Sequence, residues 1–298
     1  MHQVSPIDFE MPPNACDCHT HVFGPNQLFP FAARRAYTPG SASVLALRAM
    51  HEQLGISRVV IVQPSPYGTD NSCTLSALRI IGETARGVAV IDPDTSQQEL
   101  REMHHSGIRG VRLNLQTAGV QDPTAAAEQL AATSMQIADL GWHIQLYTSL
   151  AMVAALGSAF KSLPVPVVLD HFAGAKAPLA EQDVEHRNNF GALLHLLQSG
   201  NVWVKLSAAH RISNAINCSD VGPIAKALIA ANPDRTLWGS DWPHPGAKPN
   251  QARRPDVIEP FNVIDNAAAL NRLNHWAGNP ATTEKILVNN AATLYQFR

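Results

Sequence analysis

Two histidines separated by a single residue stand near the start of this sequence, and an aspartate stands near its end. His19 and His21 occur in the run DCHTH, His171 in the run LDH, and Asp241 in the run GSDWPHP. Side chains on an extended strand repeat every two residues, so the imidazoles of an H-x-H pair point the same way. Such a pair can bind one metal ion or stabilise one oxyanion, while a nearby carboxylate can take a proton from water. These residue types predict hydrolytic chemistry, with or without a metal.

The composition predicts a globular protein that acts on a small molecule. The 298 residues are 45% hydrophobic and 15% charged, enough for one domain spanning 1–298. A net charge of −2 without a Lys/Arg cluster argues against binding to nucleic acid or to an anionic membrane. The first residues lack the pattern of a signal peptide, and no stretch approaches the ~20 apolar residues of a membrane span. We therefore expect a cytoplasmic protein.

Short β-branched runs alternate with longer amphipathic runs along the whole sequence. The predicted strands are 15–19, 58–62, 87–91, 110–115, 142–147, 165–170, 202–206 and 236–240. The predicted helices are 43–54, 71–84, 97–105, 124–140, 150–162, 183–198, 220–231 and 261–276, followed by a closing helix from Asn279 to about Leu294. Eight βα units predict a (β/α)8 barrel, that is, a TIM barrel. No glycine-rich phosphate-binding turn follows a strand, so no nucleotide cofactor is expected, and a long proline-rich loop is predicted over 241–260.

Polar side chains stand at the ends of most of the predicted strands. Catalytic groups of this fold lie at the carboxyl ends of the strands, so these side chains should meet at one barrel mouth. The set comprises His19, His21, Gln63, Ser65, Arg112, Asn114, Tyr147, Asp170, His171, Lys205, Ser207, Arg211 and Asp241.

The motifs DCHTH, LDH and GSDWP resemble the amidohydrolase superfamily in its amidohydrolase-2 branch, over nearly the whole chain. The runs HVFGP, FPF and GTDN, together with 238–245, resemble its 2-pyrone-4,6-dicarboxylate lactonase group. The resemblance implies a distorted barrel in which water attacks a lactone carbonyl. Asp241 would act as the base and then the acid, while His19, His21 and His171 polarise the carbonyl. They would do so directly or through one Zn²⁺ ion bound by the same four residues.

The resemblance also implies how the substrate is bound. Lactonases of this group clasp substrate carboxylates with arginines, a task that suits the guanidinium fork. Arg112 and Arg211 match two of them, whereas Ala118 replaces a third. Tyr37, Ser65 and Tyr147 would complete the polar lining. The departure at Ala118 predicts a related lactone with fewer or differently placed anionic groups, such as a carboxylated muconolactone, its sulfonated analogue or a sugar-acid lactone.

Several alternatives stay open at this point. The run VRLNL at strand four offers no ligand that could bridge two metals, so one Zn²⁺ or none is expected. A Zn-dependent nonoxidative decarboxylase, a sugar-acid lactonase and a lactone isomerase compete with the lactone hydrolase. The oligomeric state is either a monomer or a small homo-oligomer. Asp170 is expected to orient His171 or to cap the following turn, and His244 to hold the loop after strand eight.

Overall fold

Eight parallel strands form one sheet in which each strand lies beside its neighbour in the sequence. The computed structural model describes residues 5–179, 183–246 and 253–298. The strands are β1 (Cys16–Thr20), β2 (Arg58–Val62), β3 (Ala85–Ala89), β4 (Ile108–Asn114), β5 (His143–Tyr147), β6 (Val167–Leu169), β7 (Val202–Ser207) and β8 (Thr236–Gly239). Most of their residues are buried, as expected for parallel strands that helices cover. The predicted (β/α)8 barrel is confirmed.

Helices follow the strands and pack against the outside of the sheet. They span Val44–Leu54, Ser72–Ile81, Gln97–His105, Leu115–Ala118, Pro123–Ile137, Leu150–Ala155, Gly157–Ser162, Val184–Gln198, Gly222–Ala231, Asn266–Ala277, Pro280–Glu284 and Asn290–Tyr295, with a π-helical turn at Lys285–Asn289. The last segment is the predicted closing helix. Asn279 caps it, because its side chain accepts a hydrogen bond from Thr282 N at 2.9 Å. In the three described ranges, no helix has the length and apolar character needed to cross a bilayer.

The first and last strands are joined by residues that follow β8. Asp241 N donates to the backbone oxygen of His19, and His21 N donates to that of Trp242, both at 2.8 Å. The Asp17 carboxylate adds a third link, since its Oδ1 accepts from Ser240 N at 2.9 Å. The seam therefore closes the barrel and fixes the H-x-H pair against Asp241.

The pairing register of β1 against β2 shifts at the catalytic segment. Asp17 pairs with Val59 but Thr20 pairs with Ile61, so β1 holds one extra residue between them. A bulge of this kind re-aims side chains and leaves a backbone N–H without a ladder partner. Here the N–H of His19 donates to Asp17 Oδ1 at 3.2 Å. The departure from a regular strand thus occurs beside a predicted catalytic residue.

Some element boundaries differ from the predictions. The third strand runs over Ala85–Ala89 and not over 87–91, because the Asn71 side chain bonds both the N–H and the carbonyl of Val90, at 3.0 and 2.7 Å. The helix predicted from residue 261 begins at Asn266. Asp265 caps it by accepting from Ala268 N at 3.0 Å.

Other differences concern segments without a periodic pattern. The predicted helix 150–162 is split at Leu156, before Gly157, a poor helix former. A short helix, Leu115–Ala118, follows β4, and a two-residue parallel ribbon pairs Thr38–Pro39 with Ile258–Glu259. Only its second strand, Ile258–Glu259, lies within the predicted loop 241–260, of which residues 247–252 lie outside the described residues.

Candidate active site

Three imidazole rings and one carboxylate meet where β1, β6 and β8 end. The Nε2 atoms of His19, His21 and His171 lie 3.7, 3.7 and 3.8 Å from one atom, Oδ1 of Asp241. All four side chains are buried. The structure thus brings together the four residues that the sequence predicted as the catalytic and metal-binding set.

The second ring nitrogen of each histidine contacts a different partner. The contacts are His19 Nδ1 to Asp170 Oδ1 at 3.2 Å, His21 Nδ1 to the backbone oxygen of Val62 at 2.7 Å, and His171 Nδ1 to Ser207 Oγ at 2.9 Å. A backbone carbonyl only accepts hydrogen bonds, so Nδ1 of His21 carries the proton. The Nε2 atom of His21 then presents a lone pair toward Asp241. Partners of this kind orient metal-binding or catalytic imidazoles.

Burial and local charge set the protonation states of this centre. Burial lowers the pKa of His21 to about 3 and also lowers the pKa of His19 and of His171. Burial alone would raise the pKa of Asp241, but the Arg211 guanidinium, which donates to its Oδ2, holds that pKa well below its ordinary value. At neutral pH the imidazoles are therefore neutral and the carboxylate is ionised.

The centre fits a single metal ion. His19 Nε2 and Asp241 Oδ1 are buried and have no hydrogen-bond partner among the described residues, although buried polar atoms normally have one. Ligands at about 2.1 Å from a tetrahedral Zn²⁺ lie roughly 3.4 Å apart, close to the separations measured here. Neutral imidazoles and a carboxylate are also donors that Zn²⁺ prefers.

A cluster of buried polar side chains lies next to His19 inside the barrel. Asp170 contacts His19 and also accepts from Gln145 Nε2 at 3.1 Å and Arg112 Nη2 at 3.4 Å. Lys205 Nζ donates to Gln145 Oε1 at 2.6 Å and lies 3.7 Å from Asp170 Oδ1. Asp170 was expected to orient His171 or to cap the following turn, and neither contact is present among the described residues: its side chain lies beside His19, and it makes no cap bond to the turn at His171–Gly174.

A cavity of about 350 Å³ opens above the histidines. All five predicted substrate-binding residues line it: Tyr37, Ser65, Arg112, Tyr147 and Arg211. His21, His171 and Asp241, although buried from bulk solvent, also line this cavity. Sequence reasoning missed Gln116, Thr117 and Arg253, which also line it. They lie in connecting segments, where no periodic pattern indicates the direction of a side chain.

The two predicted arginines differ in how strongly they are already bound. Arg211 donates to Asp241 Oδ2 from Nε at 3.1 Å and from Nη2 at 2.7 Å, and Nη2 also contacts the backbone oxygen of Pro245. Arg112 makes long contacts, 3.4 Å to Asp170 and 3.5 Å to the Gln63 carbonyl, and its Nε has no partner among the described residues. Arg112 therefore has more donors left for a ligand, whereas Arg211 also holds the carboxylate in place.

His244 follows Asp241 in the loop after β8 and is buried. Its backbone N–H donates to the Asp241 carbonyl at 2.6 Å and its own carbonyl accepts from Asn262 N at 3.0 Å. Its buried ring nitrogens find no hydrogen-bond partner in the described ranges. These backbone contacts tie the loop after β8 to residue 262, but the imidazole makes none of them, so its expected role in holding the loop stays a prediction.

Comparison with known proteins gives consistent matches. The family model Amidohydro_2, described as amidohydrolase, matches residues 16–297. 2-Pyrone-4,6-dicarboxylate hydrolase from Comamonas testosteroni is 34% identical, covering 96% of this chain and 92% of that protein. 4-Sulfomuconolactone hydrolase from Rhizobium radiobacter is 33% identical, covering 98% and 93%.

One solved structure has a closely similar fold. A candidate 2-pyrone-4,6-dicarboxylic acid hydrolase from Pseudomonas putida superposes with a TM-score of 0.80 at 29% identity. The match covers 97% of this chain and 99% of that one. The likeness therefore extends over nearly the whole length of both chains.

Proposed function

Because this chain belongs to the amidohydrolase family, we propose that it is an ester hydrolase that opens an anionic lactone by attack of water on the carbonyl carbon. One observation carries the proposal. Three neutral imidazoles converge on one ionised carboxylate at a cavity lined by three arginines. Arg112 makes only long contacts, to Asp170 and to the Gln63 carbonyl, and keeps donors for a ligand, so the cavity favours an anionic substrate.

The chain's own groups supply the steps of hydrolysis. Asp241 takes a proton from water as the water oxygen bonds to the carbonyl carbon. Negative charge develops on the carbonyl oxygen, and an imidazole can stabilise it directly only where Nε2 carries a proton. The Ser207 hydroxyl permits this state for His171, because a hydroxyl can donate to Nδ1 as well as accept from it. The ring C–O bond then breaks, and Asp241 returns the proton to the leaving oxygen. Its lowered pKa suits this second step, because a carboxyl of low pKa gives its proton up readily.

The same four residues would hold one Zn²⁺ ion. His19, His21, His171 and Asp241 provide the ligands, and the ion when bound would supply a Lewis acid and lower the pKa of water. The buried, unpartnered atoms His19 Nε2 and Asp241 Oδ1 support this assignment.

The names of the relatives support an anionic lactone as substrate. The two similar proteins reported above are hydrolases of a pyrone dicarboxylate and of a sulfonated muconolactone. Arg112, Arg211, Tyr37, Ser65 and Tyr147 are the groups that we propose to bind it, since all of them line the cavity. Tyr37 stays a hydrogen-bond donor, because burial raises the pKa of its hydroxyl despite nearby arginines.

A panel of carboxylated, sulfonated and sugar-acid lactones, followed with a pH indicator, tests the proposal. We expect release of free acid by the wild-type protein. Asp241→Asn should lower kcat by about 10²- to 10⁴-fold, because the proton acceptor is lost. Running the panel with a chelator and with added Zn²⁺ measures the dependence on metal.

The matched control is Asp94→Asn, which makes the same exchange at an exposed loop position. It should keep wild-type kcat, and circular dichroism should show that both variants are folded. Full activity in folded Asp241→Asn would contradict the assigned base. Carbon dioxide release without ring opening would instead indicate a decarboxylase, and an isomeric lactone without free acid would indicate an isomerase.

A further inference from the structure

We propose that Arg253 determines substrate specificity by binding a second anionic group, a carboxylate or a sulfonate, on the lactone. The inference rests on the proposed function, because it concerns the same cavity. Arg253 follows the loop after β8 and lines the cavity together with Arg112. The substrate class is therefore a lactone with two anionic groups, one for each arginine.

Two walls of the cavity each present an arginine beside a tyrosine ring. On the β4–β5 wall, the Arg112 guanidinium lies 5.8 Å from the Tyr147 ring centre. On the other wall, the Arg253 guanidinium lies 3.6 Å from the Tyr37 ring centre. Stacking on an aromatic face fixes the plane of a guanidinium and leaves its edges for hydrogen bonds.

The rest of the β4 wall brings no second charge to the cavity. The residues after Arg112 that line it are Asn114, Gln116 and Thr117, all neutral. Position 118 is an exposed alanine. Any second anionic group on the substrate must therefore find its cation elsewhere on the lining.

Arg211 is a weaker candidate for that second cation. Two of its nitrogens already donate to Asp241 Oδ2, and one of them also contacts the Pro245 carbonyl. Drawing it toward a substrate anion would weaken the pair that keeps Asp241 ionised. Arg253 can bind an anion without disturbing the catalytic carboxylate.

The ribbon at the cavity mouth holds Arg253 in a fixed geometry. Glu259 accepts from Arg253 Nε at 2.9 Å and from Nη2 at 2.5 Å. Glu259 pairs with Pro39 in the two-residue ribbon, and Tyr37 directly precedes the strand Thr38–Pro39. The Arg253 guanidinium therefore contacts both the Tyr37 ring and the Glu259 carboxylate, which come from the two strand segments of one ribbon. Glu259 takes Nε and Nη2, and Nη1 makes no hydrogen bond to the described residues.

Arg254, the next residue, is an example of an arginine in a solvent-exposed ion pair. Arg254 pairs with Asp256 at 2.5 Å, but these side chains are 66% and 62% exposed. In the Arg253–Glu259 pair the exposures are 27% and 15%. Exposed pairs contribute little to stability or binding, so Arg254 is a matched control at an adjacent position.

Arg253→Met tests the proposal through binding, independently of catalysis. Isophthalate carries two carboxylates on a flat ring and benzoate carries one, and calorimetry measures the dissociation constant of each. We expect Arg253→Met to weaken isophthalate binding by about 10- to 100-fold, because a charge-assisted hydrogen bond is lost, with a far smaller effect on benzoate. Arg253→Lys should fall between, since it keeps the charge but not the fork.

Arg254→Met should bind both acids like the wild-type protein, and thermal unfolding should show that all variants are folded. Equal loss for isophthalate and benzoate, or no loss in Arg253→Met, would overturn the specificity role of Arg253. With lactones that carry one and two anionic groups, the same variant should raise KM selectively for the second. A wild-type protein that binds isophthalate through Arg253 but opens no lactone would contradict the proposed function and leave the binding role standing.

Discussion

Asp241 divides its two carboxylate oxygens between two tasks. Oδ2 is held by Arg211, while Oδ1 faces three imidazole nitrogens at 3.7 to 3.8 Å. The backbone at Asp241 and His171 is left-handed, with φ of 64° and 51°, which residues with a side chain rarely adopt. Such conformations cost about 1–3 kcal/mol each and persist where the surroundings over-determine them. Here the left-handed backbone conformation directs the side chains of Asp241 and His171 into one centre.

Ser207 is expected to matter because it orients His171. Its hydroxyl lies 2.9 Å from His171 Nδ1 and fixes the direction of the ring. We predict that Ser207→Ala lowers kcat for lactone hydrolysis by about 10-fold with little change in KM, because such orienting partners contribute 10- to 100-fold. Steady-state kinetics on the lactone identified by the panel measures this.

Ser41→Ala is the control, since Ser41 is exposed. It should leave kcat and KM at wild-type values. A Ser207→Ala enzyme with wild-type kcat would show that packing alone positions His171, for instance through the Tyr147 ring at 5.2 Å.

At this scale the sequence predicts residue types but not all of their partners. His19, His21, His171 and Asp241 were identifiable because motif spacing and strand ends constrain them. The contact of Asp170 with His19 was not, because it depends on the bulge in β1 and on positions across the barrel interior. Arg253 gave no signal, because it lies in an irregular loop whose path the sequence does not reveal.

The seam between β1 and β8 is the element that assembles the site. Backbone hydrogen bonds of 2.8 Å tie His19 and His21 to the segment 241–242. Gly239 lets the strands approach this closely, because a Cβ there would lie 2.6 Å from His19 Cβ and 2.8 Å from His19 N. The first and last strands therefore meet at a position where a side chain has no room.

Gly239→Ala should disturb both stability and catalysis. The added methyl group would force β8 from β1, and we expect the free energy of unfolding to fall by about 1–3 kcal/mol, as for overpacked cores. Displacement of His19 should also lower kcat. Urea unfolding and lactone kinetics measure the two effects.

Gly191→Ala makes the same exchange where the structure predicts the opposite result. Gly191 lies within the helix Val184–Gln198, and a Cβ there would meet no atom within 4 Å. Alanine should raise the free energy of unfolding by about 0.5–1 kcal/mol. A Gly239→Ala protein as stable and active as Gly191→Ala would show that β1 and β8 accommodate the added methyl group without loss of stability or activity.

Helices and strands were predicted correctly where the hydrophobic residues follow a regular period. The predicted ends were wrong where a side chain caps the element. The strand order and most helix bounds follow from alternating apolar runs. The ends of β3 and of the helix at Asn266 were shifted by the side chains of Asn71 and Asp265, which capture backbone groups. Such hydrogen bonds are local choices that a hydrophobic pattern does not record.

At the scale of the molecule, the repeated βα pattern predicts the barrel because few topologies satisfy eight buried parallel strands. The ribbon of Thr38–Pro39 and Ile258–Glu259 was not predictable, because it joins two-residue segments from opposite ends of the chain. That ribbon shapes the mouth of the cavity. The fold was therefore more predictable than the groups that select its substrate.

The whole molecule also buries several imidazoles that should make its stability depend on pH. Burial lowers the pKa of His143 to about 3, and neither ring nitrogen has a hydrogen-bond partner among the described residues. Burial likewise lowers the pKa of His210 and of His244 to about 4. Above pH ~6.5 these groups are neutral in both states, so they add no pH dependence there.

Below pH ~6.5 the unfolded chain takes up protons that the folded protein refuses until its own lower pKa values are reached. Stability should therefore fall as the pH drops from 6.5 toward 3, by up to roughly 1.4 kcal/mol per pH unit for each such histidine. His143→Leu should make this fall less steep, because it removes one group without touching the catalytic centre. His195→Leu, at an exposed position, should leave the slope unchanged. Urea unfolding at pH 5, 6 and 7 measures the slopes, and identical slopes for wild type and His143→Leu would mean that His143 is protonated, or open to water, in the folded state.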